Sequence, residues 1–448
     1  MALPGDLSSS ASQQKGVQPS PALPDTAAEA PLEMERSFAG GTAVYDRRSS
    51  KSMDDVVIVG ACRTACAKAK KGAFKDTPAD ELIFAVVKDT MRRTGVQPDE
   101  VEDVCLGTVF PPSSKRVNEA RMAMIVAGFP PSVPVYTVNR QCAAGLQAIA
   151  NVAAGIKAGF HKIGIAGGVE SMTTNPLDWE GSENPKMKEH EVAQDVLLPL
   201  GITSENVAET YGVPRELQDV FAAASHAKAL AARELGKFRE EIVPIETIWK
   251  DPVSGEEKKM VVEDDDGIRP GTTPEGLAKM KPCFKKDGTV TAGNSCQNTD
   301  AAAAVLMMTR REAKRRGLPI LGTFRGFATV GVPPKFMGIA PSLAIPKAVD
   351  RAGLTLDDID IFEVNEAFAS QAAYTCRKLG LPAEKVNPNG GAIALGHPAG
   401  ATGARLTVSL LHELKRRGKE AKYGVVGMCT GSGMGAAAVF EKEDGEEQ

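Results

Sequence analysis

Apolar and polar positions divide the chain into a polar opening, two series of short apolar runs, and a charged stretch between them. Val56-Val57-Ile58-Val59 is an unbroken apolar run entering Gly60, the signature of a strand covered on both faces followed by a glycine turn. Runs of the same kind predict strands at 104–110, 163–168, 301–308, 321–330, 359–364, 385–388 and 423–429. Helical spacing predicts helices over 79–94 and 142–159. The second closes on Gly159 and places Cys142 at a helix start. Strands alternating with helices give a layered α/β fold.

Around this series the texture changes twice. Residues 1–52 are rich in Ser, Ala, Pro and Gln, lack hydrophobic periodicity, and are expected to be a disordered leader. Residues 173–283 are charged and Pro-punctuated, with an amphipathic helix at 215–236 and a hairpin-like piece at 249–262. They read as an insertion. The expected division is an N-terminal domain of 53–172 plus 284–320, the insertion, a C-terminal domain of 321–442, and a tail at 443–448. Strand, reactive loop, Ala/Gly-rich helix and strand recur in 135–168 and in 386–429, which points to an internal duplication.

The candidate chemistry lies where strands end. Cys142, in Asn139-Arg140-Gln141-Cys142-Ala143-Ala144-Gly145, would meet the free N–H groups and the positive end of its helix, which favour thiolate. Small neighbours leave that thiol open. His397 lies between Gly390-Gly391 and Gly400-Ala401-Thr402-Gly403, where glycines admit a substrate. His161, His190, His226 and His412 occupy ordinary helical or charged settings. Cys429-Thr430-Gly431-Ser432-Gly433 offers unobstructed backbone N–H groups suited to an oxyanion, but not the spacing of a nucleotide-binding loop. Asn365 follows an apolar strand and could position a water. The adjacent Glu366 could be an acid/base group or the first charge of a helix, and reads as structural. A nucleophile, a base and a second thiol suit chemistry on a carbonyl or thioester.

Composition narrows the function. The chain has 448 residues, 53 Lys+Arg against 57 Asp+Glu, and no basic run interleaved with aromatics, so nothing points to nucleic acid. No apolar stretch is long enough for a membrane span. The eight cysteines are too sparse for a disulfide scaffold. Cys62 and Cys66 lack the second ligand pair of a metal site and read as buried, so no metal is expected.

Together these segments resemble the thiolase family, and within it the plant-type peroxisomal 3-ketoacyl-CoA thiolases. The resemblance spans 56–441. Its carriers are Asn139-Arg140-Gln141-Cys142, Glu170-Ser171-Met172-Thr173-Thr174-Asn175-Pro176, Asn365-Glu366-Ala367-Phe368-Ala369, Gly390-Gly391-Ala392-Ile393-Ala394-Leu395-Gly396-His397-Pro398 and Cys429-Thr430-Gly431-Ser432-Gly433-Met434-Gly435. It implies a duplicated, layered α/β/α/β/α fold, an inserted loop domain that holds coenzyme A, a homodimer, and no cofactor, coenzyme A being a substrate.

The activity implied is thiolytic cleavage of 3-ketoacyl-CoA by CoA in fatty acid β-oxidation. By the family's pattern Cys142 is acylated, His397 activates it, and Cys429 protonates the departing acetyl-CoA carbanion. Backbone N–H groups of Cys142 and Gly431 bind one thioester oxygen; His397 and a water on Asn365 bind the other. Arg269, Ser295, Cys296 and Phe368 match positions at the coenzyme A. The chain departs from the pattern at Ala143-Ala144, where Ser-Ser is common, at Ala399 for Leu, at Cys296 for Ser and at Ala301 for Gly. The implied compartment is the peroxisome, with cytosol or mitochondrion as alternatives, no targeting signal being legible. Condensation of two acetyl-CoA molecules, and acyl-CoA or lipid binding with little catalysis, are the alternative functions.

Overall fold

The computed structural model describes residues 51–112, 115–175 and 184–443. The leader expected over 1–52, except its last two residues, and the tail from 444 onward lie outside them, as does Pro176 of the Glu170 motif. The first half contributes strands β1 (Val56–Thr64), β2 (Asp103–Gly107), β3 (Val135–Val138), β4 (Ile163–Ser171) and β5 (Thr299–Thr309). Helices α1 (Ala79–Thr94), α2 (Arg116–Val126) and α3 (Ala144–Ala158) connect the first four. Between β4 and β5 comes the insertion, with helix α4 (Arg215–Glu234) and a separate antiparallel hairpin of Ile245–Lys250 with Glu257–Val262. The second half supplies β6 (Gly322–Gly331), β7 (Ile361–Val364), β8 (Tyr423–Thr430) and β9 (Met434–Glu441), with α5 (Ala340–Arg351), α6 (Ala369–Leu379) and α7 (Thr402–Arg417).

The duplication is visible in the pairing. In the first half β1 runs antiparallel to β5, β5 antiparallel to β4, and β4–β2–β3 are parallel. In the second, β6 is antiparallel to β9, β9 antiparallel to β8, and β8 parallel to β7. The position of β3 is taken in the second half by one parallel bridge, Phe362 to Val386. Both halves thus order their strands first, fifth, fourth, second, third. They join where β1 meets β6 at Val57–Thr323 and Ile58–Gly322.

Strict alternation builds the layers. On β5, Ala302, Ala304, Leu306 and Met308 pack with Leu82, Val86 and Val87 of α1. The intervening Ala303, Val305 and Met307 pack with Ile149 and Val152 of α3 and with Leu406 and Leu410 of α7. Ala436, Ala438 and Phe440 of β9 face that same central helix pair, whereas Ala437 and Val439 face Ala344, Ile345 and Ala348 of α5. Each sheet is therefore covered on both faces, which is why its strands read as continuous apolar runs. The order is helices, sheet, the α3/α7 pair, sheet, helices.

Three expectations change. The first strand does not turn at Gly60 but continues to Thr64 through a register shift between Ile58 and Gly60. Residues 385–388 form only the single bridge, because Pro388 has no N–H to donate and Asn387 is left-handed, with φ 43°. Strand β9 was not foreseen: its Gly-Ala-Ala-Ala start carries little strand propensity and owes its conformation to pairing with β6 and β8.

Candidate active site

The turn after β3 presents Cys142. Gln141 adopts φ 49°, its N–H donates to Asn139 Oδ1 at 2.8 Å, and the N–H of Ala144 donates to Gln141 O at 2.9 Å. Helix α3 begins two residues later, at Ala144. The half-buried thiol receives the backbone N–H of Gly431 as well as its own, yet burial pushes it up to about 11. This reverses the expected depression. Desolvation outweighs the N–H dipoles, so the resting group is a thiol that needs a base.

The candidate is His397. Its ring is buried and pushed down to about 3, first by burial and then by the charge of Arg405, so it is neutral at physiological pH. Nδ1 lies 2.7 Å from the Thr402 hydroxyl at the start of α7, which fixes the ring and leaves Nε2 for proton transfer.

A short segment threads between the histidine and the Asn365 loop. Ser295 bridges to Phe368, Cys296 N–H donates to Ala367 O at 3.1 Å, and the His397 N–H is shared by Gln297 O at 2.8 Å and Thr299 Oγ1 at 2.9 Å. Ser295, Cys296 and Phe368 are thereby gathered beside the thiols, although the Ser295 hydroxyl is already committed to Thr291 O. Arg269 is exposed on the insertion, where its N–H meets His226 Nδ1 at 3.2 Å and its charge lowers the Lys68 amine after desolvation.

Cys429, next to last in β8, is buried among Val290, Met337, Ala367 and Phe368. Burial drives its pKa well up, and the Cys142 and Cys296 thiols raise it further. Cys296 is pushed up to about 12 by burial and then by Cys142. Three thiols therefore share one site. Asn365 is fully buried, its N–H on Gly427 O, and neither Oδ1 nor Nδ2 of its amide meets a protein partner. Such a group calls for a ligand or water. Glu366 instead accepts from Ser225 Oγ of α4, Asn387 Nδ2 and Ile393 N–H, which is structural work. Cys62 and Cys66 are buried and both pushed up to about 12 by burial.

Two residues escaped the sequence reading of the site. Glu170 is buried at the end of β4 and accepts the Thr108 hydroxyl at 3.1 Å and the N–H groups of Val109, Phe110 and Gly400 at 2.8, 3.2 and 2.9 Å. It joins the first half to the loop that carries His397. Its signal was a carboxylate next to last in an otherwise apolar strand. Thr402, the partner of the histidine ring, gave none. Gly400 has no alternative: a Cβ there would lie 2.5 Å from Thr108 Cα and 2.8 Å from Glu170 Oε2.

The thiolase N-terminal domain model matches residues 56–311 and the thiolase C-terminal domain model residues 318–442. This chain belongs to the thiolase family. The thiolase is 58% identical over 420 residues to peroxisomal 3-ketoacyl-CoA thiolase 2 of Arabidopsis thaliana, covering 94% of this chain and 91% of the relative. It is 54% identical over 390 residues to the human peroxisomal 3-ketoacyl-CoA thiolase, covering 87% and 91%. Among solved structures, the dimeric peroxisomal thiolase of Saccharomyces cerevisiae superposes with a TM-score of 0.81 at 44% identity, covering 88% of this chain and 99% of that one.

The depressed histidine has a consequence for stability. The folded thiolase resists protonating His397 until about pH 3, while the unfolded chain takes up that proton near 6.5. Nothing is lost above pH 6.5, and stability falls as pH drops from there toward 3. At pH 5 this single group costs about 2 kcal/mol. His226, pushed down to about 4, acts in the same sense; Glu363, pushed up to about 8, and Asp300, to about 6, act oppositely. His397→Gln should therefore lose less stability than wild type between pH 7 and pH 5. Urea denaturation at both values checks it, and equal losses would refute it.

Proposed function

We propose that this thiolase is an acetyl-CoA C-acyltransferase that cleaves 3-ketoacyl-CoA with CoA into acetyl-CoA and a shortened acyl-CoA, as a peroxisomal homodimer serving β-oxidation. The observation that supports the reading is a cluster of three thiols, Cys142, Cys296 and Cys429, with the neutral His397 tied by its N–H to Gln297 O, next to Cys296, and the partnerless amide of Asn365 at the end of the strand beside that of Cys429. The high identity to named peroxisomal 3-ketoacyl-CoA thiolases supports the substrate class. No helix among the described residues is long and apolar enough to cross a membrane.

In this reading His397 Nε2 takes the Cys142 proton as sulfur attacks the 3-keto carbon. Because the thiol is raised and the imidazole lowered, a preformed ion pair would be scarce, and proton transfer accompanies attack. The new oxyanion collapses with rupture of the C2–C3 bond, leaving the acyl group on Cys142. Cys429 gives its proton to the acetyl-CoA carbanion, and burial that keeps this thiol protonated suits it to the task. N–H groups of Cys142 and Gly431 hold one oxygen; His397 and a water on Asn365 hold the other. A CoA thiol then gives its proton to the Cys429 thiolate as its sulfur takes the acyl group, and the Cys142 sulfur that leaves recovers its proton from His397. The insertion, whose α4 buttresses Glu366 through Ser225, holds coenzyme A with Arg269 on its surface. The chemistry needs no metal.

The test is mass spectrometry of products from short-, medium- and long-chain 3-ketoacyl-CoA with CoA, alongside the mass of Cys142. Products two carbons shorter and an acyl adduct on Cys142 are expected. An enzyme that binds these thioesters without cleaving them or forming an adduct would refute the reading. A smaller prediction concerns Cys296, whose thiol is a poorer hydrogen-bonding group than a hydroxyl. Cys296→Ser should lower KM for CoA, by about 1 kcal/mol or less in binding terms. An unchanged or higher KM would mean that Cys296 does not contact CoA.

A further inference from the structure

Only four non-glycine residues among those described have positive φ, and two of them flank the chemistry: Gln141 at 49°, directly before Cys142, and Ser432 at 67°, directly after Gly431. Left-handed backbone is unfavourable for a residue with a Cβ, and glutamine, unlike asparagine, has little propensity for it. Glycine would relieve the turn at Gln141, so the side chain there must do something glycine cannot.

What it touches is the opposite loop. A Cβ built on Gly431 would lie 3.4 Å from Gln141 Oε1, 3.5 Å from Cδ and 3.6 Å from Cγ, so the carbonyl end of the side chain lies along the glycine whose N–H meets the Cys142 sulfur. The backbone of Gln141 aims the thiol; its side chain backs the donor. We propose that Gln141 is a positioning residue for acyl transfer: its strained turn presents Cys142 while its carboxamide braces the Gly431 loop, so that nucleophile and oxyanion donor stay in register. The two loops come from different halves of the duplicated fold, after β3 and after β8, and no strand pairing ties them together. Strain at a functional turn persists where the surroundings impose it, and here the hydrogen bond from Gln141 N–H to Asn139 Oδ1 and that from Ala144 N–H to Gln141 O hold it.

This inference rests on the reading that Cys142 carries the acyl group. The test compares wild type with Gln141→Gly and Gln141→Met for melting temperature, the rate of Cys142 acylation by acetyl-CoA in rapid-quench mass spectrometry, and KM for CoA. The glycine variant relaxes the turn but removes the brace. It should melt at or above the wild-type temperature yet acylate slower by roughly tenfold or more, a misplaced donor costing up to about 10²-fold. Its KM for CoA should stay within about twofold, since the brace acts on the reacting sulfur rather than on binding. The methionine variant has the same reach, keeps the contact with Gly431, and should acylate within about threefold of wild type, contacts at this range being van der Waals in kind. Wild-type acylation by Gln141→Gly, a melting temperature lowered by that change, or a methionine variant as slow as the glycine one would overturn the brace. An unacylated wild-type Cys142 would instead overturn the function on which it rests.

Discussion

Cys429→Ala should leave Cys142 open to acylation by acetyl-CoA while lowering carbon–carbon cleavage by roughly 10²–10⁴-fold, the usual loss for a positioned acid or base. Cys142→Ala should abolish both. The asymmetry follows from what each thiol faces. Cys142 receives the N–H of Gly431 and sits in the turn before α3, and in the proposed reaction its loss removes the acceptor for the acyl half. Cys429 is buried among Val290, Met337, Ala367 and Phe368 with its pKa well up, which suits it in the proposed reaction to giving a proton rather than to acting as a second nucleophile. His397→Ala should impair adduct formation and cleavage together, because in the proposed mechanism the same ring takes the thiol proton and helps hold an oxyanion. Adduct mass and thiolysis rate, measured for each variant, decide the matter. An acyl group found on Cys429 in the wild type, or full thiolysis by Cys429→Ala, would exchange or dissolve these roles.

How much of this was legible in the chain depended on what fixes each feature. The strands of the two sheets could be read because both faces are buried, so β1, β4, β5 and β8 are nearly uninterrupted apolar runs. Their order could not, since register and neighbours are set by contacts distant in sequence. The glycines around His397 were read as room for substrate, and part of that room is filled by protein: a Cβ on Gly390 would come within 2.6 Å of Ser225 O on α4. Charge behaved in the same way. A thiol before a helix suggested a depressed pKa from local dipoles, but the burial that reverses it is created by packing in the folded molecule. Asn365 was recognisable as a polar residue ending an apolar strand, and its empty hydrogen-bonding capacity became evident only once every neighbour was placed. Local rules nominated the candidate groups; packing decides their protonation.

Glu170 is a four-fold tie between the two halves at the site, and its removal should be felt in both stability and rate. Its two oxygens take four donors, three from the 108–110 turn and one from Gly400, three residues beyond His397. Burial pushes this carboxyl up and those N–H groups pull it down, so ionised it is costly to bury but indispensable to its partners. Glu170→Ala would leave backbone donors of both halves unpaired in the interior, at a cost on the order of 3 kcal/mol or more. Glu170→Gln keeps the shape but turns an NH2 toward N–H groups, so it should also destabilise, though less. In both variants one of the ties between the His397 loop and the half that carries Cys142 is lost or weakened, with the Gln297 and Thr299 contacts to the His397 N–H remaining, and misplacement of about 1 Å suffices to slow a positioned reaction by about 10²-fold. The expected result is a lowered denaturation midpoint together with slower Cys142 acylation even at temperatures where the variant remains folded. If Glu170→Gln acylates at the wild-type rate while melting lower, the carboxylate serves the fold alone and the alignment of base and nucleophile is secured elsewhere.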